Sequence, residues 1–561
     1  MLTTGRAPVA VLAALGIALS APASAGAVRF SDITDEAGID FRHDNGLSGD
    51  WHYPEIVGGG CALVDHDGDG RLDILFIQSG AVPRRLADAE PPDRAPSRLY
   101  RNTTTDGRIR FADVTDTAGL DARGYGLGVA VGDLTGNGHP DLYITNYGPN
   151  SLWRNNGDGT FTDITAASGT GDPGFSASAS VADLDRDGRL DLFVSNYVVY
   201  DPADNPTCLA ESTRRDYCGP SVFEAAGDTV YRNLGDGRFE DVTEAWLGDH
   251  PPLRGLGTVV ADFDADGLPD VFVANDGDQN QFWRNTGAGF SEQALASGAA
   301  VNRHGRMEAG MGIGLADLQD DADWDLLLTH LTGESNTLYL NFGDGSFVDD
   351  TAAWGLQAST LPFTGFGAAL ADFDRDTRPD LIVANGAVRV IEARREAGEA
   401  YPLAQRDQLF RNTGRRFEPV TGNEAALAPA VGRGLAIGDV DNDGLRDVLV
   451  CNNHGAPRLL RNRTRVDGPW VGVRAVTGEP PRDALGAVAS LAGGAAQRQR
   501  VATDGSYLSA HDPRAVFALP AGAGEARVVV EWADGARERF GPLAAGHYHD
   551  LRRGEGETAS P

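Results

Sequence analysis

An acidic nine-residue pattern recurs seven times along this chain and constrains its fold more than any other feature. It reads Asp-x-Asp-x-Asp-Gly-x-x-Asp and precedes an apolar run, as in residues 65–73 before Ile-Leu-Phe-Ile. We call the seven copies loops 1 to 7. They begin at Asp65, Asp133, Asp183, Asp262, Asp317, Asp372 and Asp439. A repeat at this period indicates an array of similar structural units.

The pattern places oxygen donors at loop positions 1, 3, 5 and 9, which a sharp turn would bring to one point. Two carboxylates about 4 Å apart repel by about 1 kcal/mol in water and by about 4 kcal/mol at an effective dielectric near 20. A cation should therefore bind among them, and calcium accepts many irregularly placed oxygens more readily than magnesium does. The predicted metal ligands are Asp65, Asp67, Asp69, Asp73, Asp133, Thr135, Asn137, Asp141, Asp183, Asp185, Asp187, Asp191, Asp262, Asp264, Asp266, Asp270, Asp317, Gln319, Asp321, Asp325, Asp372, Asp374, Asp376, Asp380, Asp439, Asp441, Asp443 and Asp447.

Three loops depart from the pattern. Loop 2 has Thr and Asn at positions 3 and 5, and loop 5 has Gln319 at position 3 and Ala322 at position 6. Loop 6 keeps its four acids but has Thr377 at position 6, where glycine would suit a positive φ angle. We expect calcium in loops 2 and 6, with loop 5 the poorest match, and about five to seven ions in all. An Asp-Gly hairpin turn is the alternative, but it does not require the other acids at fixed offsets.

The residues around each loop predict a unit of four short antiparallel strands. Apolar, β-branched runs flank the loop, so it joins a first strand A to a second strand B rather than two helices as in an EF-hand. A third strand ends in Arg-Asn, and a fourth follows a Gly-Asp-Gly turn, as in residues 161–165. The third strands end at Asn102, Asn155, Asn233, Asn285, Asn341, Asn412 and Asn462, with Leu340 replacing the arginine in unit 5.

Four-stranded units repeated radially predict an all-β, seven-bladed β-propeller with calcium-binding hairpin loops. An orphan fourth strand, residues 30–34, precedes loop 1, and unit 7 has no fourth strand of its own. We expect the orphan to complete the last blade, which would remove an open sheet edge. The predicted organisation is a signal peptide over 1–25, the propeller over 26–463, a small C-terminal β domain over 464–552 and a flexible tail over 553–561.

These motifs resemble a known family. The loops and the glycine-rich residues before the A strands resemble FG-GAP/VCBS repeats of the integrin α-subunit propeller type. Residues 482–487, 505–509 and 528–535 resemble the signature of an ASPIC/UnbV domain. Together they resemble a bacterial member of the cartilage acidic protein-like family. The resemblance implies calcium binding and an extracellular role.

Composition and cysteine content bear on location and partners. The formal net charge is −33, and loop positions hold 25 of the 81 acids. This charge argues against nucleic acid and anionic membranes as partners. Residues 1–25 contain Arg6, an apolar run and Ala-Ser-Ala, which predicts a cleaved signal and a secreted, periplasmic or extracellular protein that does not span the membrane. Cys208 and Cys218 bracket a polar loop and should form a disulfide, whereas Cys61 and Cys451 in apolar strands fit either buried thiols or a bond.

Antiparallel strand order places all seven loops at one face of the predicted propeller. Long insertions between the second and third strands, about 78–97, 197–229 and 386–408, lie on the opposite face, where binding often occurs in repeat folds. The tail domain leaves toward the calcium face. Our candidates for a ligand site opposite the calcium loops are His43, His52, Glu55, Arg303, His304, Arg306 and Glu308, although solvated loop side chains would look the same.

Three functions fit these observations. The first is a non-catalytic binding or adhesion protein for a protein or glycan ligand, which we expect to be monomeric. The second is a carbohydrate-active hydrolase or lyase working on the face opposite the calcium loops, with Glu55 and Glu308 as the nominated carboxylates. The third is a structural partner in a secreted or envelope complex. No Ser-His-Asp set, zinc cluster or phosphate-binding glycine loop is recognisable in the sequence.

Overall fold

The computed structural model describes residues 28–84, 94–105, 107–492 and 497–559, and the predicted signal peptide lies outside these ranges. Strands dominate this part of the chain, and its α-helices are single turns of four or five residues. They are α1 Thr34–Ala37, α2 Thr115–Ala118, α3 Thr165–Ser168, α4 Thr243–Leu247, α5 Ala294–Ser297, α6 Leu356–Thr360 and α7 Glu392–Glu396. None of these helices has the length and apolar content needed to cross a bilayer.

The strands before residue 463 pair in repeated groups of four. A short strand, β1 Phe30–Asp32, comes first in the chain. Sheets 1 and 2 comprise β2 Cys61–Val64, β3 Asp73–Phe76, β4 Arg98–Asn102, β5 Phe111–Asp113, and β6 Gly126–Gly132, β7 Asp141–Asn146, β8 Ser151–Asn155, β9 Phe161–Asp163. Sheet 3 comprises β10 Ser176–Ala182, β11 Asp191–Asn196, β16 Thr229–Gly235 and β17 Arg238–Asp241, interrupted by β12 Val198–Val199, β13 Cys208–Leu209, β14 Arg215–Asp216 and β15 Glu224–Ala225.

Sheets 4 to 7 repeat the same order. They comprise β18 Gly255–Ala261, β19 Asp270–Asn275, β20 Gln281–Asn285, β21 Phe290–Glu292; β22 Ile313–Ala316, β23 Asp325–Leu328, β24 Thr337–Asn341, β25 Phe347–Asp349; β26 Gly365–Ala371, β27 Asp380–Asn385, β28 Gln408–Asn412, β29 Phe417–Pro419; and β30 Gly432–Gly438, β31 Asp447–Asn452, β32 Arg458–Asn462 with β1. Each acidic loop joins the first and second strands of its sheet, as predicted. We call this end of the sheets the loop end and the other the insertion end.

The first strands of these sheets lie side by side in chain order. β6 contacts both β2 and β10, β18 lies between β10 and β22, and β26 lies between β22 and β30. β2 also contacts β30, so the first strands form a closed circuit. Apolar clusters fill the space between neighbouring sheets, as where Phe272 of sheet 4 and Leu326 of sheet 5 share one core. This all-β arrangement is consistent with a β-propeller.

The orphan strand completes sheet 7, as the sequence predicts. β1 pairs antiparallel with β32, with Phe30 opposite Asn462. Just beyond β1, the Thr34 hydroxyl accepts a 2.8 Å hydrogen bond from the Leu459 amide. Chain segments more than 400 residues apart therefore share one sheet, and the last sheet has the same four strands as the others.

Two further sheets form the C-terminal domain, whose strands are β33 Trp470–Thr477, β34 Arg482–Asp483, β35 Val488–Leu491, β36 Arg498–Arg500, β37 Ala515–Ala518, β38 Glu525–Glu531, β39 Arg537–Ala544, β40 Tyr548–Arg552 and β41 Glu557–Thr558. One sheet has the order β34-β33-β37 with β40 parallel to β33, and the other has the order β36-β35-β38-β39-β41. Because β41 pairs with β39, the domain continues past residue 552, where the sequence places its end and the start of a flexible tail.

This domain lies on the loop end, the side toward which the sequence predicts it to leave. Arg186 of loop 3 donates to the Ala533 carbonyl at 3.1 Å. The Tyr548 hydroxyl donates to Oδ2 of Asp439, the first acid of loop 7, at 2.8 Å. Leu134 and Leu190, beside loops 2 and 3, share one apolar core with Val471 and other residues of the domain. The C-terminal domain therefore covers part of the loop end.

A segment of the C-terminal domain, residues 500–512, passes between the first strands of the sheets; we call it the central segment. It bonds to β2 through Ala510, to β6 through Thr503, to β10 through Leu508, to β18 through Asp504, to β22 through Ser506 and to β30 through Asp512. Tyr507 packs edge-on against Phe366 of β26, with ring centroids 4.9 Å apart. The middle of the closed circuit is therefore occupied by protein, which the sequence did not indicate.

Candidate metal centres

All seven acidic loops share one backbone conformation. Position 6 has φ between 76° and 89° in every loop, including Ala322 and Thr377, which confirms the prediction of a positive φ there. Position 4 also has a positive φ, between 54° and 73°, although it is occupied by Arg, Ala, Asp and Asn as well as Gly. The same turn thus forms even where the side chain at position 6 disfavours it.

The acids at positions 1 and 9 hold each loop in place through backbone amides. In loop 7, Asp439 accepts from Asp443 N at 3.0 Å and from Gly444 N at 2.7 Å. In loop 4, Asp270 accepts from Asn285 N at 2.8 Å and from Phe263 N at 3.1 Å. The position-9 acids are at most 1% exposed in all seven loops. Their side chains therefore fix the loop to the end of the third strand.

The asparagine of the Arg-Asn pair connects neighbouring sheets. Asn285 of sheet 4 donates to Pro269 O in its own loop at 3.0 Å and to Leu184 O in loop 3 at 2.8 Å. Equivalent bonds to the preceding loop are made by Asn102, Asn155, Asn233, Asn341 and Asn462. We did not predict this role, but the presence of asparagine at this position in all seven units was the signal that could have indicated it.

The arginine of the same pair neutralises the outer carboxylates. Arg411 donates to Asp374 and to Asp376, both at 2.9 Å, and Arg461 lies 2.5 Å from Asp441. Arg101, Arg232 and Arg284 pair in the same way with the position-3 acids of loops 1, 3 and 4. Unit 5 has Gln319 at position 3 and Leu340 in place of the arginine, whereas unit 2 has Thr135 at position 3 and keeps Arg154.

The carboxylates of the loops point inward, and the neighbouring arginines do not neutralise all of them. Burial raises the pKa of Asp270 to about 8 and that of Asp191 to about 7, because desolvation penalises the charged carboxylate. Buried carboxylate oxygens without a hydrogen-bond partner among the described residues include Oδ1 of Asp67, Asp183, Asp262 and Asp441.

Groups of three ligand atoms within 4.8 Å of one another include Asp65, Asp67 and Asp69; Asp183, Asp185 and Asp191; Asp262, Asp264 and Asp270; and Asp372, Asp374 and Asp380. An oxygen-only set with unpartnered carboxylates fits a hard cation such as calcium.

Loops 2 and 5 keep this geometry with fewer charges. In loop 2, Asp133 accepts from Asn137 N at 2.9 Å, and the buried hydroxyl of Thr135 has no hydrogen-bond partner within the described ranges. In loop 5, Asp317 accepts from Asp321 N at 3.2 Å. The shared turn therefore does not depend on four carboxylates.

The candidates at the insertion end do not form one exposed site. Glu55 is fully buried, and its carboxylate accepts from the Ser48 hydroxyl at 2.7 Å and from the Tyr217 hydroxyl at 2.8 Å. His43 is also buried and lies 3.0 Å from the Ser79 hydroxyl, and burial lowers its pKa to about 3. His52 contacts the Tyr200 hydroxyl at 2.8 Å. These three side chains hold the insertions together rather than facing a ligand.

The second group of candidates lies on a different loop. Arg303, His304 and Arg306 are exposed, whereas Glu308 is mostly covered and accepts from the Thr337 hydroxyl at 2.7 Å. Glu308 and Glu55 share no partner among the described contacts. The two nominated carboxylates therefore belong to separate hydrogen-bond networks.

Three segments meet at the insertion end. The insertion of sheet 3, residues 197–228, carries the predicted disulfide between Cys208 and Cys218. Its Asp216 accepts from Val390 N of the sheet 6 insertion at 3.2 Å, and its Arg215 donates to Asp50 O at 2.7 Å. Tyr217 of the sheet 3 insertion and Tyr507 of the central segment belong to one apolar core, so these segments pack on the central segment at the insertion end.

Comparisons with known proteins agree with the motifs. The FG-GAP-like repeat model matches residues 65–144, 133–194, 221–273 and 262–328, and the ASPIC and UnbV model matches residues 477–558. The chain carries FG-GAP-like repeats and an ASPIC and UnbV domain. The repeat matches include loops 1 to 5, and the ASPIC and UnbV match contains the central segment.

One curated relative is cartilage acidic protein 1 of Xenopus tropicalis, 28% identical over 308 residues. The match covers 52% of this chain and 43% of the frog protein, so it spans less than half of that relative.

Solved structures with a similar fold include an Agrocybe aegerita lectin that recognises non-reducing terminal N-acetylglucosamine (17% identical, 66% of this chain and 88% of that one, TM-score 0.39). Another is the rhamnogalacturonan lyase YesW (12% identical, 72% of this chain and 71% of that one, TM-score 0.36). At these TM-scores the likenesses carry no argument about function.

Proposed function

We propose that this protein is a secreted, calcium-stabilised propeller of seven blades that binds a protein or glycan ligand and performs no chemistry. In this proposal sheets 1 to 7 are the blades, and loops 1 to 7 hold the calcium ions through positions 1, 3, 5 and 9. The buried, unpartnered oxygens of Asp183 and Asp262 support a bound cation, and FG-GAP repeats often bind calcium. The occupancy of loops 2, 5 and 6 and a total of about five to seven ions are part of the proposal.

The insertion end is the proposed binding surface. The C-terminal domain covers part of the loop end, whereas the insertions of sheets 3 and 6 lie at the other end. The sheet 3 insertion exposes three large apolar side chains, Val199 at 59%, Leu209 at 57% and Val222 at 52%. Surface insertions often carry the residues that bind a partner. This exposure is the observation that carries the binding proposal.

Binding is favoured over carbohydrate cleavage because of Glu55. A catalytic carboxylate must reach substrate, and a glycosidase needs a second carboxylate about 5 to 9.5 Å away. Glu55 is inaccessible, and both of its oxygens accept hydrogen bonds from Ser48 and Tyr217. We therefore assign Glu55 a structural role. We also propose that the protein is a monomeric, extracellular or periplasmic binding protein.

A glycan array and a pull-down from the native envelope, each with and without calcium, test the proposal. We expect a stoichiometric protein or a defined glycan to bind in calcium. Replacing Val199, Leu209 and Val222 together with serine should abolish binding, whereas serine at the exposed Leu295 of α5 should not. Turnover of a polysaccharide by the wild-type protein, or unchanged binding by the triple variant, would refute the proposal.

A further inference from the structure

One histidine breaks a pattern that runs through the repeats at the insertion end. Five residues after the position-9 acid, five units have an asparagine that donates to a carbonyl of its own connecting loop: Asn146, Asn196, Asn275, Asn385 and Asn452. Unit 1 has Gln78, which donates to Arg42 O at 3.2 Å. Unit 5 has His330 instead, and no such bond is formed by its side chain among the described residues.

The surroundings of His330 leave its ring nitrogens without a hydrogen-bond partner among the described residues. Its side chain is 1% exposed, and neither ring nitrogen has a hydrogen-bond partner in the described part of the chain. Nε2 lies 3.5 Å from Oε2 of Glu308, which is longer than a normal N–H···O hydrogen bond. A buried imidazole that makes no bond is costly, so its position suggests that another atom lies between the two side chains.

Glu308 is the second residue at which unit 5 differs from other units. Counted back from the first acid of each loop, its position is occupied by Gly124 in unit 2 and Gly174 in unit 3. Those glycines lie against the asparagine: a Cβ on Gly124 would come within 2.3 Å of Asn146 Oδ1. Where units 2 and 3 have a glycine and an asparagine, unit 5 thus has a glutamate and a histidine that face each other.

We infer that His330 and Glu308 bind a divalent transition-metal ion of the zinc class. Two ligands about 2.0 to 2.2 Å from one tetrahedral ion lie roughly 3.4 Å apart, close to the separation observed here. An imidazole nitrogen favours zinc over calcium, which prefers oxygen ligands. This site would therefore differ in chemistry from loops 1 to 7, and it lies at the other end of the sheets.

Glu334 is the third ligand that we assign. It follows His330 in the same connecting loop, and its Oε2 accepts from the amide of Ala309, the residue after Glu308, at 2.9 Å. This bond holds the carboxylate beside the backbone of Glu308. Glu334 is partly exposed, so water can complete the coordination and the ion has a route from solvent.

The test uses the full mature protein, stripped of metal and returned to excess calcium so that the acidic loops are filled. Calorimetric titration with zinc should show one tight equivalent in the wild type. His330→Asn introduces the residue that five other units carry, so the fold should tolerate it, and we expect zinc affinity to fall by at least a hundredfold. Glu308→Gln should weaken zinc by at least tenfold.

His304→Asn, at the exposed histidine of the nearby loop, is the matched control and should bind zinc like the wild type. Anomalous diffraction at the zinc edge should place the ion between His330 and Glu308. The inference is overturned if the wild type takes up no zinc in calcium buffer, or if His330→Asn binds zinc as tightly as the wild type. Calcium-dependent melting of each variant, measured alongside, shows whether the fold is intact.

Discussion

The two ends of the sheets differ in the hydrogen bonds that hold their loops in place. At the loop end, similar bonds recur from unit to unit: the position-1 acid accepts from one or two amides of its turn, and the position-9 acid accepts from the amide of the third-strand asparagine. At the insertion end, each unit differs, and buried single residues such as Glu55 hold unlike segments together. One end is therefore a repeated acidic turn, whereas the other is assembled from contacts that occur once.

Calcium removal should produce the largest effect and should act through the loop end. A ligand at about 100 times its Kd adds about 2.7 kcal/mol per site, and several sites together exceed the 5 to 15 kcal/mol net stability of a typical domain. We expect EDTA to lower the melting temperature by more than about 15 °C, measured by circular dichroism. Excess calcium should restore it and magnesium should not. An identical melting temperature with and without EDTA would remove the distinction between the two ends.

Substitution of one buried acid at each end sharpens the comparison. Asp270→Ala at the loop end removes a calcium ligand and leaves the amides of Asn285 and Phe263 without acceptors, so we expect a loss of about 4 kcal/mol in calcium. Its calcium-induced stabilisation should also shrink.

Asp407→Ala, at the insertion end, is the matched control because Asp407 accepts from Asn385 N at 2.9 Å. Its loss in stability, measured by urea unfolding, should be the same with calcium and with EDTA. Equal calcium sensitivity of the two variants would contradict the division of roles.

The loop end could be predicted from sequence because its chemistry repeats. Seven copies of one pattern predicted the strand order, the loop positions and the glycine conformation at position 6. The orphan strand pairs with β32, as expected. Position 4 could not be predicted, because Arg186, Ala265 and Asn442 adopt its positive φ without a residue preference that signals it.

The insertion end could not be predicted for the opposite reason. His43 and Glu55 are polar residues in glycine-rich connections, which usually means solvent exposure, but contacts with Ser79 and Tyr217, distant in sequence, bury them. The position of the central segment was not predicted for the same reason, since Tyr507 and Leu508 are typical of the residues in a small β domain. Burial that depends on long-range contacts leaves no periodic signal in the sequence.

Acid should destabilise the protein through one buried histidine near each end. Burial lowers the pKa of His43 and of His511 to about 3, from about 6.5 when unfolded. Between pH 6.5 and 3 the unfolded state binds more protons, so stability falls as pH falls, by up to about 5 kcal/mol for each histidine. His511→Gln and His43→Gln should each flatten the pH dependence of unfolding measured in saturating calcium. A wild-type slope in both variants would argue against this origin.

Glu55→Gln tests whether the insertion end is structural or catalytic. Glutamine has one acceptor oxygen where the carboxylate has two, so either the Ser48 or the Tyr217 bond is lost, at a cost of about 2 kcal/mol. We expect lower stability by urea unfolding and no change in ligand binding by the folded protein. Tyr217→Phe should give a similar but smaller loss. Wild-type stability combined with loss of activity on a polysaccharide would reverse our assignment.

The smallest effect should come from position 6 of the loops, and its sign is informative. Thr377 has φ of 77°, a conformation that a β-branched residue adopts only with strain, whereas loop 4 has Gly267 with φ of 86°. Thr377→Gly should therefore stabilise the calcium-bound protein by about 1 kcal/mol. Gly267→Thr should destabilise it by at least as much, because a Cβ there meets no atom closer than 3.7 Å and only backbone strain is added. If Thr377→Gly instead lowers the stability of the protein, the threonine makes a compensating contact. Loop 6 would then depend on a contact that occurs only once, as the insertion end does.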